Sequence, residues 1–145
     1  MTKELEFAKE LIDFIYESPT AFHAVENVKN TLEQNGFKQL KEEEKWKLEK
    51  GKKYFMIKNH SALIAFTVGN EKIEENGFRI IGAHTDSPSF RVKPNPEMTS
   101  ENSYIKLNTE VYGGPILNTW FDRPLSVAGR VVIKGKNILN PEVRL

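Results

Sequence analysis

The sequence predicts an α/β fold in which two amphipathic helices precede a mixed β-sheet. Three observations support this prediction. Apolar residues recur at helical spacing up to Gly36, two runs of strand-forming residues are joined by a short polar turn, and an uninterrupted apolar run follows them. Helices followed by a hairpin and a buried strand are typical of an α/β sandwich.

Both helices have clear boundary signals. The first apolar stripe consists of Leu5, Ala8, Leu11, Ile12 and Ile15, and the second of Ala21, Phe22, Val25, Val28 and Leu32. Between the two stripes, Ser18 is predicted to cap the second helix and Pro19 to occupy its first position. Gly36 is expected to end that helix in the left-handed conformation that glycine adopts without a steric penalty.

The strand signals begin after Gly36. Residues 37–40 predict a short strand, and residues 54–57 and 61–68 predict a hairpin whose turn is Lys58-Asn59-His60. The run from Phe78 to Ala83 is apolar without alternation, which predicts a strand buried on both faces.

The character of the chain changes after His84. Pro88, Pro94 and Pro96 make it improbable that regular structure continues unbroken from 88 to 97, because proline cannot donate a ladder hydrogen bond. Residues 104–112 and 126–134 predict further strands, and another strand is expected to begin within 137–145. We place a domain boundary between 93 and 97, so that residues 1–93 belong to one domain and residues 94–145 begin a second, β-rich one.

Composition narrows the range of functions. The 145 residues are 39% hydrophobic and 28% charged, which indicates a globular protein. A formal charge of +1 from 21 basic and 20 acidic residues favours neither nucleic acid nor a membrane surface as a partner. The absence of cysteine excludes thiolate metal sites and cysteine nucleophiles. No apolar leader or spanning segment is present in the sequence, so a cytoplasmic location is expected.

His84 and Asp86 are the sharpest candidates for a site. They follow a predicted buried strand, at the sheet edge where open α/β folds place their ligands. Side chains two residues apart in an extended segment point to the same side, so the carboxylate can orient the imidazole. Spacing alone leaves two interpretations open: a metal-ligand segment, or a structural hydrogen bond between the two side chains.

Three sequence blocks favour the metal interpretation because together they resemble the M18 family of metalloaminopeptidases, the aspartyl aminopeptidase group. The blocks are Phe14-Ile15 with Ser18-Pro19-Thr20-Ala21-Phe22-His23-Ala24, then Gly82-Ala83-His84-Thr85-Asp86-Ser87-Pro88 with Arg91-Val92-Lys93-Pro94, and finally Tyr112-Gly113-Gly114 with Thr119-Trp120-Phe121-Asp122-Arg123-Pro124-Leu125-Ser126-Val127-Ala128-Gly129-Arg130-Val131. They occur in the family's order and extend over nearly the whole chain.

The resemblance implies the N-terminal part of a zinc-peptidase α/β sandwich, followed by the start of an inserted β-rich domain through which the family assembles homo-oligomers. It implies an aminopeptidase that removes N-terminal residues from peptides, using a water molecule activated by two Zn²⁺ ions about 3.5–4 Å apart. His84 corresponds to a zinc ligand, and Asp86 corresponds to the catalytic-site carboxylate that orients it. Co²⁺ or Mn²⁺ could serve the same set of nitrogen and oxygen ligands.

The family's remaining ligands have no counterpart in this sequence, because they lie further along the family's chain. We therefore expect a chain that carries only the front part of such an enzyme and is inactive alone. The alternatives are a catalytically inactive remnant serving in folding or assembly, and a mononuclear site built from His84, Asp86 and Asp122.

Other polar residues fit structural roles better. His23 is expected to pack at the edge of the second helix and His60 to be a solvated turn residue. The acidic runs 42–44 and 74–75 are expected to be solvated faces. The segment Trp120-Phe121-Asp122-Arg123 favours an interface or structural role over catalysis, because aromatic residues and arginine are enriched in interface cores.

Overall fold

A computed structural model describes residues 2–137 and 140–145 of the chain. It contains two compact units, one formed by residues 1–86 with 128–145 and the other by residues 87–127. Helices and mixed strands occur together, so the prediction of an α/β fold is confirmed. The predicted boundary between 93 and 97 remains a prediction.

The two predicted helices are present as α1 (Lys3–Tyr16) and α2 (Ala21–Gln34). The cap of α2 is Thr20, however, and not Ser18: the Thr20 hydroxyl accepts the His23 backbone N–H at 3.4 Å. The Ser18 hydroxyl instead accepts a hydrogen bond from the Asn27 side chain at 3.1 Å.

Helix α2 is terminated as predicted by Gly36, which follows the cap residue Asn35 and has a positive φ of 78°. The Gly36 N–H donates to the Glu33 carbonyl and the Phe37 N–H to the Leu32 carbonyl, both at 3.0 Å. These two hydrogen bonds form a Schellman motif. The motif turns the chain directly into the first strand.

A three-stranded sheet contains β1 (Lys38–Gln39), β2 (Lys53–Lys58) and β3 (Ala62–Thr67) in that order. β1 is parallel to β2 and β2 is antiparallel to β3, so the predicted mixed sheet and hairpin are confirmed. The buried apolar residues of the described chain are Ala24, Val25, Leu40, Tyr54 and Phe55. The buried side chains therefore come from α2, from Leu40 and from the central strand β2.

The predicted buried strand over residues 78–83 is wrong for the structure. After a short helix, α3 (Ile73–Asn76), the chain follows an irregular path in which Ile80 is 85% and Ile81 is 99% exposed. A strand requires a neighbour to satisfy its backbone groups. Within the described residues, no strand pairs with this segment.

The unit formed by residues 87–127 is built on an antiparallel ribbon of β4 (Ser89–Ser100) and β5 (Tyr104–Tyr112), followed by a 3₁₀ turn at Leu117–Thr119. The strand continues through the proline-rich stretch, but its pairing register shifts between Val92 and Glu97, where Pro94 and Pro96 lie. The prolines thus interrupt the ladder without ending the strand.

A second ribbon, β6 (Val131–Asn137) with β7 (Asn140–Arg144), belongs to the unit of residues 1–86 and 128–145. The strand predicted over 126–134 therefore begins later, at Val131. The expected final strand corresponds to β7, while Ile138 and Leu139 lie outside the described residues.

Phe55→Ala tests the position of the core. Phe55 has no exposed surface, so its truncation is expected to lower the free energy of unfolding by about 3–5 kcal/mol. Phe78→Ala is the matched control, because Phe78 is 75% exposed and its truncation should change stability by less than about 0.5 kcal/mol. Urea unfolding followed by circular dichroism measures both. Equal losses would contradict the core described above.

Thr20→Ala tests the cap of α2. Loss of the hydroxyl is expected to lower the free energy of unfolding by about 0.5–2 kcal/mol, whereas Thr20→Ser should retain most of it. Ser18→Ala distinguishes the two candidate caps in the same urea titration. A larger loss in Ser18→Ala than in Thr20→Ala would restore the sequence-based assignment.

Candidate metal-ligand segment

His84 and Asp86 contact each other as their spacing predicts. The His84 Nδ1 atom lies 2.7 Å from the Asp86 backbone carbonyl oxygen and 3.3 Å from Asp86 Oδ1. The two side chains are 80% and 48% exposed, so the pair stands at the surface. The imidazole is therefore oriented without being buried.

The hydrogen-bond partners of Nδ1 determine which ring nitrogen keeps a lone pair that could bind a metal. A backbone carbonyl can only accept a hydrogen bond, so Nδ1 carries the proton in this contact and Nε2 of the neutral ring keeps its lone pair. Histidines that bind metals commonly have this arrangement, with one ring nitrogen donating to a carbonyl or carboxylate. The His84–Asp86 pair thus fits one nitrogen ligand of a zinc site.

The described residues supply no complete site around that nitrogen. Among residues 2–137 and 140–145, no group of three or more histidine, cysteine, aspartate or glutamate side chains could hold a metal ion. A structural or catalytic zinc takes at least three protein ligands. The described residues therefore form no metal site by themselves, and the His84–Asp86 pair fits one nitrogen ligand with a carboxylate beside it.

The segment that carries His84 is tied to the β2–β3 hairpin. The Thr85 hydroxyl donates to the Ser61 carbonyl at 2.7 Å. Ser61 in turn closes the hairpin, since its N–H donates to the Lys58 carbonyl at 3.2 Å. Asn59 and His60, the two central residues, have φ values of 52° and 58°, as in a type I′ turn.

Arg130, in a separate segment of the chain, contacts the same turn. The Arg130 guanidinium donates to the Asn59 carbonyl at 3.2 Å and lies over the Phe22 ring, 4.3 Å from its centroid. Phe22 is on α2, so the arginine connects the helix to the hairpin. The turn at Asn59–Ser61 thus receives contacts from the second and third resemblance blocks, and Arg130 links it to Phe22 of the first.

The sequence predictions for other polar residues agree with their surroundings. His23 Nδ1 lies 2.8 Å from the Thr20 hydroxyl at the start of α2, and His60 is exposed in its turn. Glu42 contacts Lys58 at 2.6 Å on the surface. Glu74 and Glu75 are exposed on α3. Each has a structural or solvated environment.

A shallow groove of about 180 Å³ lies beside the hairpin, lined by Glu26, Lys29, Gln39, Ile57, Asn59 and His60. Its charged side chains pair with each other: Lys29 Nζ donates to Glu26 at 2.8 Å. This hydrogen bond raises the pKa of Lys29. His84 does not line the groove, so the groove adds no ligand to the candidate segment.

The unit of residues 87–127 holds the aromatic block. Trp120 contacts Phe90 edge to face, with 5.2 Å between ring centroids. Arg123 donates to the Thr119 carbonyl at 3.2 Å, and Asp122 has a positive φ of 55°. Phe121 is 58% exposed. Trp120 therefore packs within its own unit, while the interface role of the block remains a prediction.

Sequence reasoning did not find the contacts made by Thr85 and Arg130. Both residues stand inside the resemblance blocks, which is the one signal that marks them. Their acceptors are backbone carbonyls of the turn, 24 and 71 residues away, and any residue type offers such a carbonyl.

Comparison with known proteins identifies a family that is described as zinc metalloproteases. Residues 14–144 match the family model described as aminopeptidase I zinc metalloprotease (M18). The chain belongs to the M18 family, which confirms the resemblance inferred from its three blocks. No helix among the described residues is long and apolar enough to cross a membrane.

Curated relatives include a probable M18 family aminopeptidase 2 from Clostridium novyi, 70% identical over the whole chain and 34% of the relative. A probable aspartyl aminopeptidase from Ricinus communis is 44% identical over 92% of the chain and 27% of that relative. The chain thus spans about a third of the length of such relatives.

Solved structures share the fold of the chain. The mApe1 structure from Chaetomium thermophilum matches with a TM-score of 0.87 and 36% identity, over 96% of this chain and 32% of that one. The S. cerevisiae mApe1 dodecamer matches with a TM-score of 0.86 and 31% identity, over 98% of this chain and 33% of that one.

Metal analysis of the purified chain tests whether its own residues form a site. With one ligand in place, we expect the dialysed 145-residue chain to retain well under one equivalent of zinc, with no difference between the wild type and His84→Ala. Inductively coupled plasma spectrometry provides the measurement. One full equivalent that is lost in His84→Ala, but kept in His60→Ala, would favour the mononuclear alternative.

Proposed function

We propose that this chain forms the N-terminal portion of a zinc-dependent aminopeptidase that removes N-terminal residues from peptides. The observation that carries the proposal is the family match over residues 14–144. Relatives named as aminopeptidases extend this support at 70% and 44% identity. Because the chain spans about a third of their length, the complete activity requires residues beyond those described.

In this proposal His84 contributes one nitrogen ligand through Nε2. The Asp86 carbonyl accepts a hydrogen bond from His84 Nδ1 at 2.7 Å, and Asp86 Oδ1 lies 3.3 Å from the same nitrogen. These two contacts hold the ring. When bound, zinc would supply a Lewis acid that activates water at neutral pH. The chain's own contribution is the direction and the tautomer of the imidazole.

The further ligands are proposed to come from polypeptide beyond the described residues. The 80% exposure of His84 is compatible with such an arrangement, since the ring remains accessible to additional segments. We accordingly propose that the 145-residue chain alone is inactive. We also propose that the complete protein forms homo-oligomers, as the dodecameric S. cerevisiae relative does, and that it acts in the cytoplasm, where a cysteine-free chain is compatible with a reducing environment.

A chimera tests the proposal. Residues 1–145 are joined to the part of the Clostridium novyi relative that lies beyond the aligned stretch, and hydrolysis of aminoacyl p-nitroanilides is measured with Zn²⁺, Co²⁺ or Mn²⁺. We expect the chimera to be active and the chain alone to be inactive. A panel with N-terminal Asp, Glu and Leu then determines the residue preference.

Two substitutions in the chimera separate the roles of the site residues. His84→Ala is expected to abolish activity together with one bound metal, and Asp86→Asn to lower metal affinity or activity by about 10–100-fold. His60→Ala is the control and should leave both unchanged. A folded, metal-loaded chimera without peptidase activity would instead favour the alternative of an inactive remnant that serves in folding or assembly.

A further inference from the structure

The segment around His84 lacks the support that strand pairing would give. Residues 78–85 make no backbone–backbone hydrogen bond within the described part of the chain. Ile80 and Ile81 are almost fully exposed, so packing does not hold them either. Side-chain hydrogen bonds are therefore the described contacts that position the imidazole.

The Thr85 hydroxyl makes such a contact with another part of the chain. Its 2.7 Å bond to the Ser61 carbonyl joins the segment to a point 24 residues earlier in the chain. Thr85 is half-buried against the hairpin, whereas His84 and Asp86 on either side of it are exposed. The three residues thus divide into one that faces the scaffold and two that face outwards and contact each other.

The acceptor lies in a turn between two regularly paired strands. The β2–β3 ladder is regular from Lys53↔Thr67 to Lys58↔Ala62 and leads directly into the turn. The turn is closed by the Ser61 N–H bond to Lys58, and Arg130 holds it from a separate segment through the Asn59 carbonyl. Phe55, which is fully buried, fixes the central strand of the same hairpin in the core.

We propose that Thr85 is a positioning residue: its hydroxyl bond to Ser61 fixes the segment on the hairpin turn and thereby keeps His84 Nδ1 on the Asp86 carbonyl, the contact that sets the tautomer and direction of the ring. This inference rests on the proposed function for its significance, because a metal ligand has to be oriented before the metal binds. The hydroxyl, and not the methyl group, is the part of Thr85 that acts.

The experiment uses the 145-residue chain itself, in the absence of metal and peptide. Thr85→Val removes the hydroxyl and keeps the shape of the side chain, while Thr85→Ser keeps the hydroxyl and removes the methyl group. Thr31→Val is the matched control, because the Thr31 hydroxyl also donates to a backbone carbonyl, that of Asn27 at 3.0 Å. Nuclear magnetic resonance at about pH 8, where an ordinary imidazole is neutral, records both ring nitrogens of His84 and the backbone order parameters.

Wild type and Thr85→Ser are expected to show a His84 ring protonated at Nδ1. In Thr85→Val the ring nitrogen shifts should move to those of a mixed, solvent-exposed tautomer pair, and order parameters at residues 84–86 should fall below about 0.6. Thr31→Val should match the wild type at His84. Contacts between residues 85 and 61 in nuclear Overhauser spectra should be lost in Thr85→Val only.

Unchanged His84 shifts in Thr85→Val would overturn the proposal, as would a change that Thr85→Ser shares. If Thr85→Val disturbs the signals of Phe55 in the core, Thr85→Ala is measured in its place and is judged by the same shifts. The proposed peptidase function does not enter this measurement. An inactive chimera with the expected tautomer shift therefore refutes the function alone, and an active chimera without that shift refutes the positioning role alone.

Discussion

The packing of one hairpin against one helix is the constraint on which the larger unit depends. Tyr54 and Phe55 on β2 are buried, as are Ala24 and Val25 on α2, and these residues with Leu40 make up the buried apolar side chains of the described chain. Because β2 and β3 pair without a break, the position of β2 fixes the register of β3 and the location of the turn between them. The turn then offers the carbonyl groups that Thr85 and Arg130 use.

The elements that sequence analysis predicted correctly are those whose causes are local. Helix α2 follows from apolar spacing, and its end follows from Gly36, whose positive φ needs no distant partner. The sequence predicted Ser18 as the cap, whereas the structure has Thr20. Both are capping residue types two positions apart, and the choice depends on which hydroxyl reaches the first free N–H groups of the helix. The hairpin was equally local, since two strand-forming runs flank a polar turn.

The run from Phe78 to Ala83 shows where sequence reasoning failed. Its composition predicts a strand buried on both faces, but a strand exists only when neighbours complete its hydrogen bonds, and the described residues supply none. An apolar run indicates that a segment could be buried as a strand, but whether it forms one depends on the strands beside it. The His84–Asp86 pair was predictable because both partners lie within the same three residues, but the ties to Ser61 and Asn59 were not, because they end on backbone carbonyls far along the chain.

The combination of a local His84–Asp86 contact with long-range bonds to the hairpin turn affects how the proposed metal site would be assembled. In the proposed site, a ligand buried in its own domain would leave little room for further ligands, whereas the His84 side chain is 80% exposed and still has a defined Nδ1 contact. Its orientation comes from a local carbonyl and from the hairpin behind it, so further segments can approach the Nε2 side without displacing either support. Orientation and accessibility would conflict if the ring were held by packing. Here they are compatible because side-chain hydrogen bonds of Thr85 and His84 hold the segment and leave the outer face of the ring to solvent.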